Sequence, residues 1–171
     1  MSDLAQLLAR YRVRLGFLSA IGALWLARPT PRSLALGAIV AVAGEGLRIW
    51  AAGHLEKGRE VTASGPYRLT RHPLYLGSAI MAIGFAIASA SVAAAVLVTV
   101  YLVLTYGAAI ASEERHLTEK FGSAYPDYRD GRAPGAAAAG RFSVDRVVKN
   151  REYRAVIGLA LVLALLAWKV L

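Results

Sequence analysis

The chain has 171 residues, a formal net charge of +9, 57% hydrophobic residues and a mean hydropathy of +0.47. Soluble domains are usually about 45–50% apolar, so this composition points to a membrane protein, and the length allows one compact bundle without a second domain. There is no cysteine, which excludes disulfides and thiolate metal sites. The cations flank apolar spans instead of forming one basic face, which argues against nucleic acid as a partner and fits the positive-inside pattern.

Residues 4–15 place Leu4, Leu7, Leu8, Tyr11 and Leu15 on one helical face among Arg10, Arg12 and Arg14, an amphipathic stretch suited to the interface. Val13 to Ala27 is apolar and follows arginines as a signal peptide would, but no A-x-A cleavage pattern follows. We read it as a retained first span. Ser33 to Trp50 is expected to be a second span, capped by Ser33 after Pro31. Glu45 and Arg48 stand three apart in its last turns, on neighbouring positions of one face. They read as a structural ion pair with Arg48 snorkelling, unless Arg48 belongs to a site.

Residues 51–72 form a polar connection that ends in Gly65-Pro66-Tyr67-Arg68-Leu69-Thr70-Arg71-His72-Pro73-Leu74-Tyr75-Leu76-Gly77. Gly-Pro opens a turn. Arg71 and His72 set a permanent cation and a titratable ring at the mouth of an apolar helix, and Pro73 fits its first turn because its missing N–H costs nothing there. Such a helix start suits an anionic or polar ligand.

From Leu74 to Ala111 no residue is charged. At about 1.5 Å per residue this is roughly 57 Å of helix, nearly twice a hydrocarbon core of about 30 Å, so a helical hairpin turning near Ser89-Ala90-Ser91 is expected. Gly77, Ser78, Gly84 and the alanines of this run permit close packing in lipid. Residues 112–150 are polar and basic, with Gly131, Pro134, Gly135 and an Ala/Gly tract, and Ala155 to Leu171 makes a final span of minimal length. With five spans and a cytoplasmic N-terminus, 17 of the 20 Lys and Arg residues fall inside, leaving Arg28, Arg32 and Lys169 outside. That asymmetry favours this orientation, with both long polar connections cytoplasmic and the inner membrane as location.

A second cluster, Ser112-Glu113-Glu114-Arg115-His116-Leu117-Thr118-Glu119-Lys120-Phe121-Gly122-Ser123-Ala124-Tyr125-Pro126-Asp127-Tyr128, brings two adjacent carboxylates to the end of the uncharged run. Glu113 continues the face of Ala109 and Tyr106. The pair reads either as the polar edge of the bilayer or as a functional site, since acids near a membrane are functional candidates when buried. Tyr75, Tyr125 and Tyr128 suit an interfacial aromatic belt as well as a site. His54 and His116 read as solvated loop residues, and the three histidines are too dispersed for a three-ligand metal site.

Gly-Pro-Tyr-x₃-Arg-His-Pro-x-Tyr-x-Gly at 65–77 and Glu-Glu-x₂-Leu-x₃-Phe-Gly-x₂-Tyr-x₂-Tyr at 113–128 together resemble the isoprenylcysteine carboxyl methyltransferase family, to which phospholipid methyltransferases are similar in these motifs. Leu47-Arg48-x-Trp50-Ala51 resembles a pattern of bacterial members. The resemblance covers roughly residues 44–134. It implies an integral membrane methyltransferase that uses S-adenosylmethionine (SAM) at the cytoplasmic ends of its helices, under a C-terminal polar segment. The acceptor is then a lipophilic small molecule or a lipid, offering a carboxylate or an amine. By the same resemblance the cofactor contacts are Tyr67, His72, Pro73, Leu74, Tyr75 and Glu113, with the segment near Arg59 to Thr62, from which Val61 and Thr62 are taken; Arg71 is added as a cation that can receive the cofactor carboxylate, and Arg48 and Glu114 are weaker acceptor candidates. The catalytic residues and the oligomeric state stay undetermined. Where the isoprenylcysteine enzymes carry an arginine one turn before the acid pair, this chain has Ala109. The proline after the two tyrosines sits one residue late, at Pro134. Two other readings stay open: a membrane NAD(P)H-dependent reductase of the distantly similar steroid-reductase type, and a non-catalytic membrane binding protein.

Overall fold

The computed structural model describes residues 3–132 and 140–171, with the side chains of the first helix described from Arg14 onward. The apolar face of Leu4, Leu7, Leu8 and Tyr11, and the segment holding Pro134 and Gly135, lie outside the described side chains. All regular structure in the described residues is helical: α1 (Asp3–Leu26), α2 (Pro31–His54), a 3₁₀ turn (Gly65–Arg68), α3 (Pro73–Ser89), α4 (Val92–Phe121), α5 (Ala124–Arg129), α6 (Val144–Lys149) and α7 (Tyr153–Val170). The expected helical membrane bundle is the observed fold. Of its five long helices, α2, α4 and α7 are long and apolar enough to cross a bilayer, while α3 and the apolar part of α1, Arg14–Leu26, are shorter. The 17 residues of α3 span about 26 Å.

Local chemistry sets the helix ends. The second span is capped by Thr30, not by Ser33 as the sequence suggests. The Thr30 hydroxyl accepts from Ser33 N–H at 3.1 Å and the Ser33 hydroxyl accepts from Thr30 N–H at 2.9 Å, a reciprocal capping box around Pro31. The hairpin turns where expected. Ala90 takes the left-handed conformation (φ 45°) that ends α3, and Ser91 opens α4 by accepting from Ala94 N–H at 3.3 Å. The polar stretch after Ala111 starts as helix: α4 runs 30 residues, to Phe121. That is about 45 Å, so its last ten residues carry the acid pair beyond a hydrocarbon core of about 30 Å.

Close backbone approach holds α2 against α3. A Cβ on Gly37 would strike Ala88 and the Gly84 carbonyl, one on Gly84 would strike Ala41, and one on Gly44 would meet the Gly77 carbonyl at 2.7 Å. On the other flank α1 lies along α4, with Gly16 under Tyr101 and Gly22 under Leu97. Leu166 of α7 is fully buried against Ala27 and Ala88, and Lys169 donates to the carbonyls of Leu24, Trp25 and Ala27, satisfying the end of α1. Trp25, Ile39, Val103, Leu161 and Trp168 point outward, as a lipid-facing shell requires.

At the opposite end the polar C-terminal segment closes over the end of α2. Ser143 N–H and Arg146 Nη1 donate to Gly53 O at 3.0 and 3.2 Å, and Asn150 Nδ2 donates to Ala52 O and Leu55 O at 2.9 and 3.1 Å. These bonds satisfy carbonyls that a helix end leaves unpaired. His54 is therefore not a solvated loop residue. It ends α2, is 8% exposed, and lies between Trp50 and Phe142 with Nδ1 3.1 Å from the Ser64 hydroxyl. His116 is exposed as expected, but it sits on α4 and not in a loop.

Candidate active site

Where α2, α3 and α4 reach their polar ends, they diverge around a cleft of about 780 Å³. The end of α2 and the connection after it supply Arg48, residues 55–58 and residues 60–62, the 3₁₀ turn supplies Tyr67, the start of α3 supplies Arg71 to Tyr75 and Ser78, and α4 and α5 supply the far wall. The volume lies within the range of small-molecule sites, roughly 300–1,000 Å³. On α4 the lining residues Tyr106, Ala109, Glu113, His116 and Lys120 recur every three or four positions, so one helical stripe faces the cleft.

The start of α3 holds the densest chemistry. His72 is its N-cap and Pro73 its first residue. His72 Nε2 lies 3.0 Å from Glu114 Oε1, and Arg71 Nη1 lies 3.5 Å from the same oxygen. The His72 bond, reinforced by Arg71, holds the Glu114 carboxyl below its ordinary range. His72 meets Tyr75 edge-on at 5.8 Å, and Tyr75 meets Tyr106 edge-on at 5.1 Å. Behind them Tyr125 is 3% exposed, and burial followed by the Glu114 charge pushes its phenol up to about 12. Tyr128 donates its hydroxyl to Tyr67 O at 2.6 Å, which latches α5 onto the 3₁₀ turn. Burial, then the charge of Glu113, raises the Tyr67 phenol well above its ordinary value.

The inner wall is organised by Arg48. Its Nε donates to Glu152 Oε1 at 2.6 Å and lies 3.7 Å from Glu45 Oε2. Its Nη1 donates to Leu74 O at 3.3 Å and to the Ser78 hydroxyl. One guanidinium thus ties α2 to α3 and to the residue that opens α7. Gly77 makes room for it, since a Cβ there would come within 2.6 Å of Arg48 Cγ.

All nine residues read as cofactor contacts, from Val61 to Glu113, line this one cleft, and so does Arg48. Arg59, at the edge of that reading, does not line it. Glu114 stands behind His72, outside the cleft lining, in a shallower hollow with Arg115 and Tyr125. Both readings of Arg48 meet in one residue, which is ion-paired and also lines the cleft. Tyr75 and Tyr128 line the cleft too. Glu152 was not legible as a partner of Arg48, because 104 positions separate them and no local pattern links them. Lys120 and Phe121 were legible in principle, as continuations of the Glu113 stripe.

Residues 46–124 match the family model described as phospholipid methyltransferase. The nickel-cobalt-cadmium resistance protein NccN of Alcaligenes xylosoxydans xylosoxydans is 31% identical over 97 residues, covering 56% of this chain and 42% of that protein. The cobalt-zinc-cadmium resistance protein CzcN of Cupriavidus metallidurans is 33% identical over 104 residues, covering 59% and 46%. The chain therefore spans less than half the length of these relatives. No solved structure matches it. The family match takes in the cleft-lining residues from Arg48 to Phe121 and the whole of the first motif, and it ends before Tyr125 and Tyr128 of the second.

Proposed function

We propose that the chain is an integral membrane methyltransferase that uses SAM and acts on a lipophilic or membrane-embedded acceptor from the cytoplasmic side. What carries the reading is convergence: the nine residues from Val61 to Glu113, drawn from four separate segments, line one cleft of about 780 Å³. When bound, SAM supplies an electrophilic methyl group on a sulfonium. The chain's own residues are suited to hold such a molecule. Glu113 offers a carboxylate to an ammonium. The start of α3, with Arg71 beside it, offers N–H groups and positive charge to a carboxylate. Tyr67 and Tyr75 offer ring faces to a cation or a purine. Rate enhancement would come mostly from holding donor and acceptor in line.

Ala109 lines the inner part of the cleft, so no fixed cation stands at that position to receive an acceptor carboxylate. This favours a lipid or small lipophilic acceptor over a prenylated protein. Heavy-metal resistance, which the names of the two relatives carry, would enter as the physiological setting of that transfer. Calorimetric titration of the detergent-purified chain with SAM, and with NADPH as the control, tests the reading. Micromolar SAM binding, worth about 8 kcal/mol, is expected. NADPH binding in its place would move the assignment to a reductase. Binding of neither by folded protein would leave a non-catalytic binding protein.

A further inference from the structure

Glu114 is the one predicted site residue that stands outside the cleft, yet its carboxylate is the sole hydrogen-bond partner of the His72 ring among the described residues. We propose that Glu114 is a positioning residue that makes His72 the proton-accepting group of the cleft, holding Nε2–H and leaving the Nδ1 lone pair for the acceptor. This rests on the methyl-transfer reading above.

The argument is geometric. Glu114 Oε1 takes Nε2 at 3.0 Å from the side away from the cleft. His72 itself lines the cleft, whereas Glu114 lines the neighbouring hollow. A neutral imidazole whose N–H is held by a carboxylate keeps one tautomer, and its imidazolium form is stabilised. The groups around the ring are compatible with this. Arg71 shares the carboxylate at 3.5 Å, Tyr75 meets the ring edge-on at 5.8 Å, and Tyr125 closes over Glu114 from α5. The Glu114 carboxyl, held low by His72 itself, is ionised at neutral pH.

The dyad selects a reaction class. An acceptor N–H or O–H forms its new bond to the methyl carbon through the heteroatom lone pair, the carbon–sulfur electron pair stays on sulfur as a neutral thioether, and the surplus proton passes to Nδ1. The resulting imidazolium then faces the Glu114 carboxylate. A carboxylate acceptor releases no proton and has no use for the dyad. The acceptor is therefore one that carries hydrogen on the atom to be methylated.

The test is ¹⁵N NMR of the full chain in detergent with labelled histidine, the His72 signals being assigned by their loss in His72→Gln. In the parent at neutral pH, Nδ1 is expected to be unprotonated and Nε2 protonated. In Glu114→Gln both tautomers are expected to be populated, and Glu114→Asp should restore part of the preference. Unchanged His54 and His116 signals serve as the control for folding. A parent ring protonated on Nδ1, or a tautomer unchanged in Glu114→Gln, overturns the proposal. The same samples titrated with SAM separate the two readings. A parent that binds no SAM overturns methyl transfer, and the NMR result still decides whether Glu114 sets the ring.

Discussion

Arg48 has two carboxylates near it but bonds only one of them. Glu152 takes Nε at 2.6 Å, whereas both Glu45 oxygens are buried without a hydrogen bond among the described residues. Removing the bonded partner of a buried charge costs more than the pair is worth, because the charge left behind is desolvated and unpaired. Removing the unbonded acid relieves a burden. Glu152→Gln should therefore cost about 1–3 kcal/mol, whereas Glu45→Gln should be neutral or stabilising, both read by thermal unfolding in detergent. Equal losses from the two changes would show that Glu45 is a full partner. At the cleft, His72→Ala and Glu113→Ala should each weaken SAM binding while leaving the helical signal intact. If both bind SAM like the parent, the cofactor assignment is wrong. Glu114 adds a pH dependence. Its folded carboxyl titrates below the usual 4.5, so the folded state stays ionised where the unfolded chain already takes up a proton. That contribution is complete above about pH 4.5 and is lost as the pH falls through the lowered value. Glu114→Gln should flatten this acid limb of the stability profile.

At the scale of elements, glycine decides how near the cleft's walls come to each other. Gly37 and Gly84 sit where α2 and α3 touch backbone to backbone, and nothing stands within 4 Å of a Cβ built at Gly107 or Gly158. Gly84→Ala and Gly37→Ala should each cost about 1–3 kcal/mol by overpacking. Alanine at Gly107 or Gly158 should be neutral or mildly stabilising, because glycine is the poorer helix former. Thermal unfolding of the four variants checks the contrast, and a uniform response would mean that the α2–α3 contact is not set by glycine. The sequence is informative about these elements because their causes are local. Runs without charge, Pro73 at a helix start and the small residues at 89–91 all mark their own places. The capping of α2 was read one step off because Thr30 and Ser33 are both capping residues on either side of Pro31, and only the reciprocal bonds between them show which is outside the helix. The burial of His54 and the bond from Arg48 to Glu152 depend on where the C-terminal segment lands, and nothing near either residue encodes that. The cleft was legible because its residues fall in two dense motifs and one helical stripe.

For the whole molecule the question is which way the bundle faces. The structure gathers the polar connection 55–72, the projecting end of α4 and the segment 141–152 at the end of α2 that carries the cleft, with Arg146 Nε 2.5 Å from Glu56 Oε1 joining two of them. The opposite end holds Arg28, whose N–H donates to Ser89 O at 2.7 Å, and Lys169, which is tied to α1. Cations are thus concentrated at the cleft end, and the positive-inside rule predicts that this end faces the cytoplasm. The absence of cysteine makes the assignment directly measurable. Single cysteines at exposed positions, Lys57→Cys and Glu119→Cys at the cleft end and Arg32→Cys at the other, can be labelled in sealed vesicles of known orientation with a membrane-impermeant maleimide. The first two should react together from the cytoplasmic face and the third only from the opposite face. Labelling of all three from one side would mean that α2 does not cross, and the cleft would then rest on the membrane surface. Labelling of the cleft end from the outer face alone would invert the bundle. A cytoplasmic cofactor could not then reach the site, so the orientation bears on the chemistry as directly as any residue in the cleft.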